Sequence, residues 1–462
     1  MVNREVDEIM NFYLQSFRIK SIKNKKRIAI LTVTLLIIIS IVYLFFFKTY
    51  SISAYSYSDS LTPNAMKIDT DLFIKTLKEN HPEMKDGQTN YDNIINGIYE
   101  KIRKPMNAED FYWTLNTLNV ELKDGHTHFS IDQVNRDCID LPSLEWTADG
   151  LIAKENKAFL ETGDKIISIG GMSPTDLLKG LNALIPAEIE EWVKANTMVI
   201  AKGMFLRRLK LVGKDNNVNI SYERNGKLVT RDMHLHKCGE TAFEGINKLI
   251  SYSAARKLKW NIDNANSLGI ITINTCPNGK EFVEGFKNFF RAVNENKIKN
   301  IAVDLRRNDG GSSTVINQFL SFIDIKSYMY IGNKLLYNNA EDFRDITPND
   351  PPLFRGSVYL LTSNSTFSAA SDFVVILKAN SLAKVVGQPT GNIPSFFGNT
   401  KSSSLPNSKL QFQYATTRYK YPVPEDEQYK AIIPDYPIEY SKRDIVEKRD
   451  PWIDFVIEMA RK

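Results

Sequence analysis

The spacing of apolar and polar positions changes several times along this chain, and each change predicts a different kind of structure. Ile28 to Phe47, IAILTVTLLIIISIVYLFFF, is almost continuously apolar, with Thr32, Thr34, Ser40 and Tyr43 as its polar interruptions. At about 1.5 Å rise per residue, such a helix spans the ~30 Å hydrocarbon core of a bilayer. Helical patterns follow at Asp69 to Glu79, Tyr91 to Ile102 and Ala108 to Leu122. In the third, Phe111, Leu115, Leu118 and Leu122 recur at helical spacing and form one face that must be buried. Lys123-Asp124-Gly125 ends it as a turn, and His126 to Ile131 alternates like a strand.

From Leu151 to about Leu235 the pattern shortens to strands and turns. Lys165 to Ile169 leads into a Gly170-Gly171 turn, Pro174 to Leu184 reads as a helix, and Val218 to Arg224 ends at an Asn225-Gly226 hairpin turn. After Leu268 strands and helices alternate: Gly269 to Asn274, Glu281 to Asn296, Asn300 to Leu305, Ser313 to Ile323, Ser357 to Leu361, Phe367 to Asn380 and Lys384 to Gly387. This order predicts parallel crossovers and an α/β layer. Ligands bind beyond the carboxyl ends of strands in such sheets. Both Asp309-Gly310-Gly311 and Ser368 fall at such ends.

Composition alters this picture mainly at the N-terminus. With 462 residues, 43% hydrophobic and 24% charged, the chain is long enough for two or three folded domains. Much of its net charge of +5 comes from Arg18, Lys20, Lys23, Lys25, Lys26 and Arg27, just ahead of the apolar run. That flank predicts a cytoplasmic N-terminus and an extracytoplasmic remainder. It suits anionic lipid headgroups, and no nucleic-acid partner is expected. The apolar run is longer than a signal-peptide core, which favours an uncleaved anchor; the small residues Ser51 to Ala54 keep a cleaved signal peptide as the competing reading.

The resulting division is a basic tail (1–27), a transmembrane helix (28–47), a linker (48–66), an N-terminal helical region (67–140), a small strand-rich module (141–240) and an α/β core (241–462). Cys138, Cys238 and Cys276 are too few for a disulfide scaffold and allow one bridge at most. His234, His236 and Cys238 would share one face of a continuous strand, but they lack an acidic partner, and no metal or other cofactor is expected.

The candidate chemistry centres on Leu361 to Phe373, LTSNSTFSAASDF, where an apolar strand gives way to a helix. Ser368 stands at that junction. Its plain structural reading is a helix cap, as for Ser365 or Thr366. Its chemical reading is a nucleophile beside the unpaired first amides of a helix, with Ala369 as an oxyanion donor. Gly310 and Gly311 would let backbone amides approach a substrate oxygen closely. The base is His126 or His128, which have the same strand parity after the Asp124-Gly125 turn. Lys378 lies about three helical turns from Ser368, roughly 15 Å, too far to serve instead.

Six ordered segments, DGHTHFS, VDLRRNDGGSS, LTSNSTFSAASDF, VVGQPTGN, LPNSKLQFQYATTRYKYP and IIPDYPI, together resemble the S41 family of serine peptidases. The likeness runs from about Asp69 to the C-terminus. It extends to the tail-specific and tricorn-core proteases, and is strongest to the branch related to interphotoreceptor retinoid-binding protein. The resemblance implies a ClpP/crotonase-like α/β core, a PDZ-like module matching GDKIISIGG, and protein or peptide substrates. It implies Ser368 as nucleophile, Gly310 or Gly311 with Ala369 as the oxyanion hole, and His126 as base with His128 as the alternative. The Ser-Lys form of the family is absent, since Ile393 and its neighbours stand where its lysine would be. An orienting glutamate is implied shortly before Pro434-Asp435; Glu427 is assigned to it, with Glu425 next.

Overall fold

The computed structural model describes residues 60–87, 89–131, 134, 136–238, 258–277, 279–330, 343–348, 352–421 and 423–462. The apolar run at 28–47, its basic flank and most of the linker lie outside the described residues. Among the described residues no helix is long and apolar enough to cross a membrane.

The first described region is helical. Helix α1 (Pro63–Asn80) starts with proline at its first position and a cap from Thr62, whose hydroxyl accepts from the Ala65 amide at 3.3 Å. After α2 (Asp92–Lys101), helix α3 (Ala108–Leu122) is capped by Asn107 accepting from the Asp110 amide at 2.8 Å. Phe111, Leu115, Leu118 and Leu122 are all buried, as their spacing predicts. Lys123 then turns left-handed, with φ 48°, and ends the helix. Asp124, Gly125 and His126 follow, all buried, before the short strand β1 (His128–Phe129).

Strands β2 (Leu144–Thr147), β3 (Gly150–Ala153), β4 (Lys165–Ile169), β5 (Asn217–Arg224) and β6 (Lys227–His234) form one antiparallel sheet in chain order. The connection from β4 to β5 carries α4 (Pro174–Asn182) and α5 (Glu190–Ala195). Phe73, Phe111 and Leu118 of the helical region share a hydrophobic core with Leu151, Ile166, Leu177 and Tyr222 of this module. The two regions divided at residue 140 therefore share their packing. Strand β6 stops at His234, and His236 belongs to a separate ladder with Asp137 and Cys138. His234, His236 and Cys238 consequently do not form one strand face. Cys138 and Cys276 are free thiols.

The α/β core contains β7 (Lys259–Asp263), β8 (Leu268–Thr272), α6 (Lys280–Glu295), β9 (Asn300–Asp304), α7 (Thr314–Leu320), β10 (Ser357–Thr362), α8 (Ala369–Ala379) and β11 (Lys384–Gly387). A hairpin of β12 (Lys401–Ser404) and β13 (Gln411–Tyr414) follows, then β14 (Tyr436–Pro437) and α9 (Pro451–Ala460). The sheet order is β14-β11-β10-β9-β8-β7, parallel except for β7 at the edge. Ile301 and Val303 pack with Phe286, Phe319 and Phe373 from α6, α7 and α8 on one face. Ala302 and Tyr359 pack with Trp452 and Val456 of α9 on the other. Both faces are covered, which explains the uninterrupted apolar strands. Strand β13 pairs with β1 in the register His128 to Gln413, tying the helical region to the core.

Candidate active site

Strands β9 and β10 are parallel neighbours, with Asp304 opposite Leu361, so the loops leaving their carboxyl ends emerge side by side. Hydrogen bonds stitch these loops together. The Ser363 hydroxyl donates to the Arg306 carbonyl at 2.6 Å, the Thr366 hydroxyl to the Leu305 carbonyl at 3.0 Å, and the Phe367 amide to the Asn308 carbonyl at 3.0 Å. Arg306 is itself held by Asp304 and Asp450, at 2.7 and 2.8 Å. The hydroxyls of Ser363 and Thr366 thus hold the turn.

Ser368 occupies the cap position of α8, but its side chain makes no capping hydrogen bond. Its backbone is left-handed, φ 54° and ψ −131°, a conformation that costs a non-glycine residue on the order of 1–3 kcal/mol. The surrounding fold holds it there: the Ser368 amide donates to Asn392 Oδ1 at 2.5 Å. The result is a strained strand-to-helix turn whose serine hydroxyl is left without a capping role.

Gly310 packs directly against the serine. A Cβ there would lie 2.5 Å from Ser368 Cβ and 3.1 Å from the Ala369 nitrogen, and its φ of +112° also favours glycine. Its amide is occupied, donating to Asn308 Oδ1 at 2.9 Å. Among the described residues, the amides of Gly311 and Ala369 have no such acceptor. Gly311 and Ser368 line one cavity of about 340 Å³. Of the two glycines, Gly311 has the amide free for an oxyanion.

His126 approaches from the other side. Its ring is buried, stacked on Phe367 at 4.6 Å and on Phe396 at 5.4 Å between centroids. Its Nδ1 lies 3.7 Å from Asp124 Oδ1, and neither ring nitrogen makes a hydrogen bond among the described residues. His128 is exposed, although strand parity had put it on the same face. The left-handed end of α3 and the turn at Asp124 delay the strand until His128, so parity does not apply to His126.

Two carboxylates accompany His126. Asp124 is anchored by the His126 amide at 2.9 Å, His81 Nε2 at 3.1 Å and the Thr127 hydroxyl at 2.5 Å. Burial alone would raise its pKa, but the His126 and His81 rings outweigh that and hold it well below the usual carboxylate range. Glu188, from the loop before α5, accepts from the Gly125 amide and from Asn392 Nδ2, both at 3.2 Å. Loss of water around Glu188, and then the charge of Asp124, push its carboxyl well above the ordinary value. Asn392 joins the two sides, since its oxygen holds the Ser368 amide and its nitrogen holds Glu188. Trp192 of α5 stacks at 3.7 Å on Phe367, next to Ser368 in the chain.

Asp124, His126 and Glu188 each offer a ligand atom within 4.8 Å of the others. The carboxylate oxygens of this group already accept hydrogen bonds from the chain, so a cation would have to compete with them.

The structure gathers Ser368, Gly310, Gly311, Ala369 and His126, and does not bring Glu427 to them. Glu427 is exposed on a short 3-10 turn, Glu425–Glu427. The buried member of that loop is its neighbour Gln428, whose Nε2 donates to the carbonyls of Tyr421 and Val423 at 2.8 and 2.9 Å. Lys378 is held at 2.8 Å from Asp435. Sequence reasoning missed Glu188 and Asn392. Asn392 stands in the VVGQPTGN segment, whereas Glu188 lies in no segment that signalled chemistry.

Residues 267–438 match the model for Peptidase family S41. Similar solved structures include mature CPAF, 15% identical with a TM-score of 0.63, covering 86% of this chain and 97% of that one. Mature CPAF complexed with lactacystin is 14% identical, with the same TM-score and coverage. At these identities the structures speak for the fold alone. The family match spans the segment that builds the serine turn, the glycine turn and Asn392, and it supports a serine-type peptidase of family S41.

Proposed function

We propose that the protein is a membrane-anchored, extracytoplasmic endopeptidase in which Ser368 attacks the peptide carbonyl. The observation that carries this reading is that Ser368 is held in a strained left-handed turn at a helix start, yet its hydroxyl does no capping. His126 takes the serine proton and returns it to the leaving amine. The amides of Gly311 and Ala369 hold the oxyanion, while Gly310 lets the glycine turn close onto the serine. Water then hydrolyses the acyl-enzyme. Asp124 and Glu188, rather than Glu427, are the carboxylates that orient and support His126.

The apolar run at 28–47 and its basic flank support the anchor and the extracytoplasmic placement. The antiparallel sheet with α4 supports a PDZ-like, peptide-holding role for the middle module. Cleavage of an unfolded reporter protein tests the chemistry. Ser368→Ala and His126→Ala should each abolish it, and activity retained in a pure Ser368→Ala preparation would overturn the assignment.

One observation favours a second reading. The ring nitrogens of His126 are unbonded, as they would be in a catalytically silent protein that keeps the cleft for peptide or lipophile binding. A fluorophosphonate probe separates the two, because an unactivated serine does not react.

A further inference from the structure

The cavity beside Ser368 has a floor chemically unlike its walls. Asp372 lies one helical turn after Ser368 on α8, so the two residues share a helix face, and both line the cavity. Asp372 is 2% exposed. Its Oδ2 accepts from the Ser313 hydroxyl at 2.6 Å, while Oδ1 has no hydrogen-bond partner among the described residues. Tyr421 lies beside the carboxyl, but its hydroxyl makes no bond of good geometry. A buried carboxylate with an open oxygen is costly unless a donor or cation meets it. Burial pushes the Asp372 pKa up to about 6, so at neutral pH the group is mostly charged.

The walls are aromatic, formed by Tyr330, Phe396 and Tyr419. Aromatic faces attract cations, and here the rim already holds one: the Arg344 guanidinium lies 3.3 Å over the Tyr330 ring. Arg344 is exposed, whereas Asp372 is buried. A volume of about 340 Å³ is at the small end for ligand pockets and suits one long side chain.

We propose that this cavity receives a cationic side chain, lysine or arginine, from the substrate residue adjacent to the scissile bond, with Asp372 as its counter-ion. This rests on Ser368 being the nucleophile and narrows the substrate class that follows from it. Arg344 opposes the incoming charge at the rim. A purely structural Asp372 would affect all substrates alike, whereas a counter-ion sets the ratio between them.

The test is digestion of an unfolded protein by the wild type, Asp372→Asn, Arg344→Gln and Ser368→Ala, with the cut sites mapped by mass spectrometry. Cuts beside lysine or arginine should exceed cuts beside leucine by about tenfold or more in the wild type, as a charge-assisted contact allows. The ratio should fall to near one in Asp372→Asn and rise in Arg344→Gln. Ser368-dependent cutting without a basic preference, or a preference untouched by Asp372→Asn, would overturn this inference alone. Absence of any Ser368-dependent cutting would overturn the peptidase mechanism and this inference with it. If Asp372→Asn fails to fold, the wild-type and Arg344→Gln patterns decide the matter.

Discussion

The two sides of the proposed catalytic cleft are built in different ways. The serine side comes from two loops leaving adjacent strands of one sheet, and strand register alone sets them side by side. The histidine side is assembled from segments far apart in the chain: Asp124 and His126 after α3, Glu188 before α5, and Asn392 after β11. The serine side follows from the fold of the α/β core. The histidine side additionally requires that the helical region and the antiparallel module dock correctly. Damage near Ser368 should therefore act on chemistry at once, while damage near Glu188 should act by degrees, through the placement of a ring.

Experiments can sharpen or break that contrast. His126→Gln should lower kcat/KM for an unfolded reporter about 10³-fold, since it removes the proposed proton acceptor, and steady-state kinetics on the folded variant would show this. Gly310→Ala comes next. The added carbon meets Ser368 Cβ at 2.5 Å in a backbone conformation that favours glycine. A loss of about 10²-fold is expected, with on the order of 1–3 kcal/mol of stability lost in thermal denaturation.

Glu188→Gln should cost only about tenfold in kcat/KM, because it keeps the side-chain shape but alters the field at His126. It should also change the pH dependence of stability. Glu188 holds its proton more tightly folded than unfolded, so its contribution is fully present below the ordinary carboxyl pKa and is lost as pH rises towards the raised one. Denaturant melts from pH 4 to 8 should show a flatter slope in Glu188→Gln than in the wild type. The smallest effect is expected from Glu427→Gln, less than about twofold in activity, since the residue is exposed. A loss as large as that of His126→Gln would return Glu427 to the site and remove the distinction drawn for Glu188.

The same contrast explains what the sequence made legible. The alternating strands and helices after Leu268, the face of α3 and the serine junction all rest on local period and turn chemistry, and all recur in the structure. The β12–β13 hairpin was not legible, because Lys401 to Ser404 is polar and its pairing with β1 is non-local. By spacing alone His126 was one of two residues of equal parity, and the resemblance was needed to single it out, because the stacking of Phe367 and Phe396 around it is tertiary. Glu188 gave no local signal at all. The Glu427 assignment rested on the resemblance and its place shortly before Pro434-Asp435, while burial in that loop belongs to Gln428 one residue later.

The most direct test of the central claim is reaction of the protein with a fluorophosphonate probe, followed by peptide mapping of the adduct in the wild type and in His126→Ala. The account predicts one adduct, on Ser368, formed rapidly in the wild type and lost in His126→Ala. No adduct on Ser368 in the wild type, or labelling undiminished without His126, would contradict it.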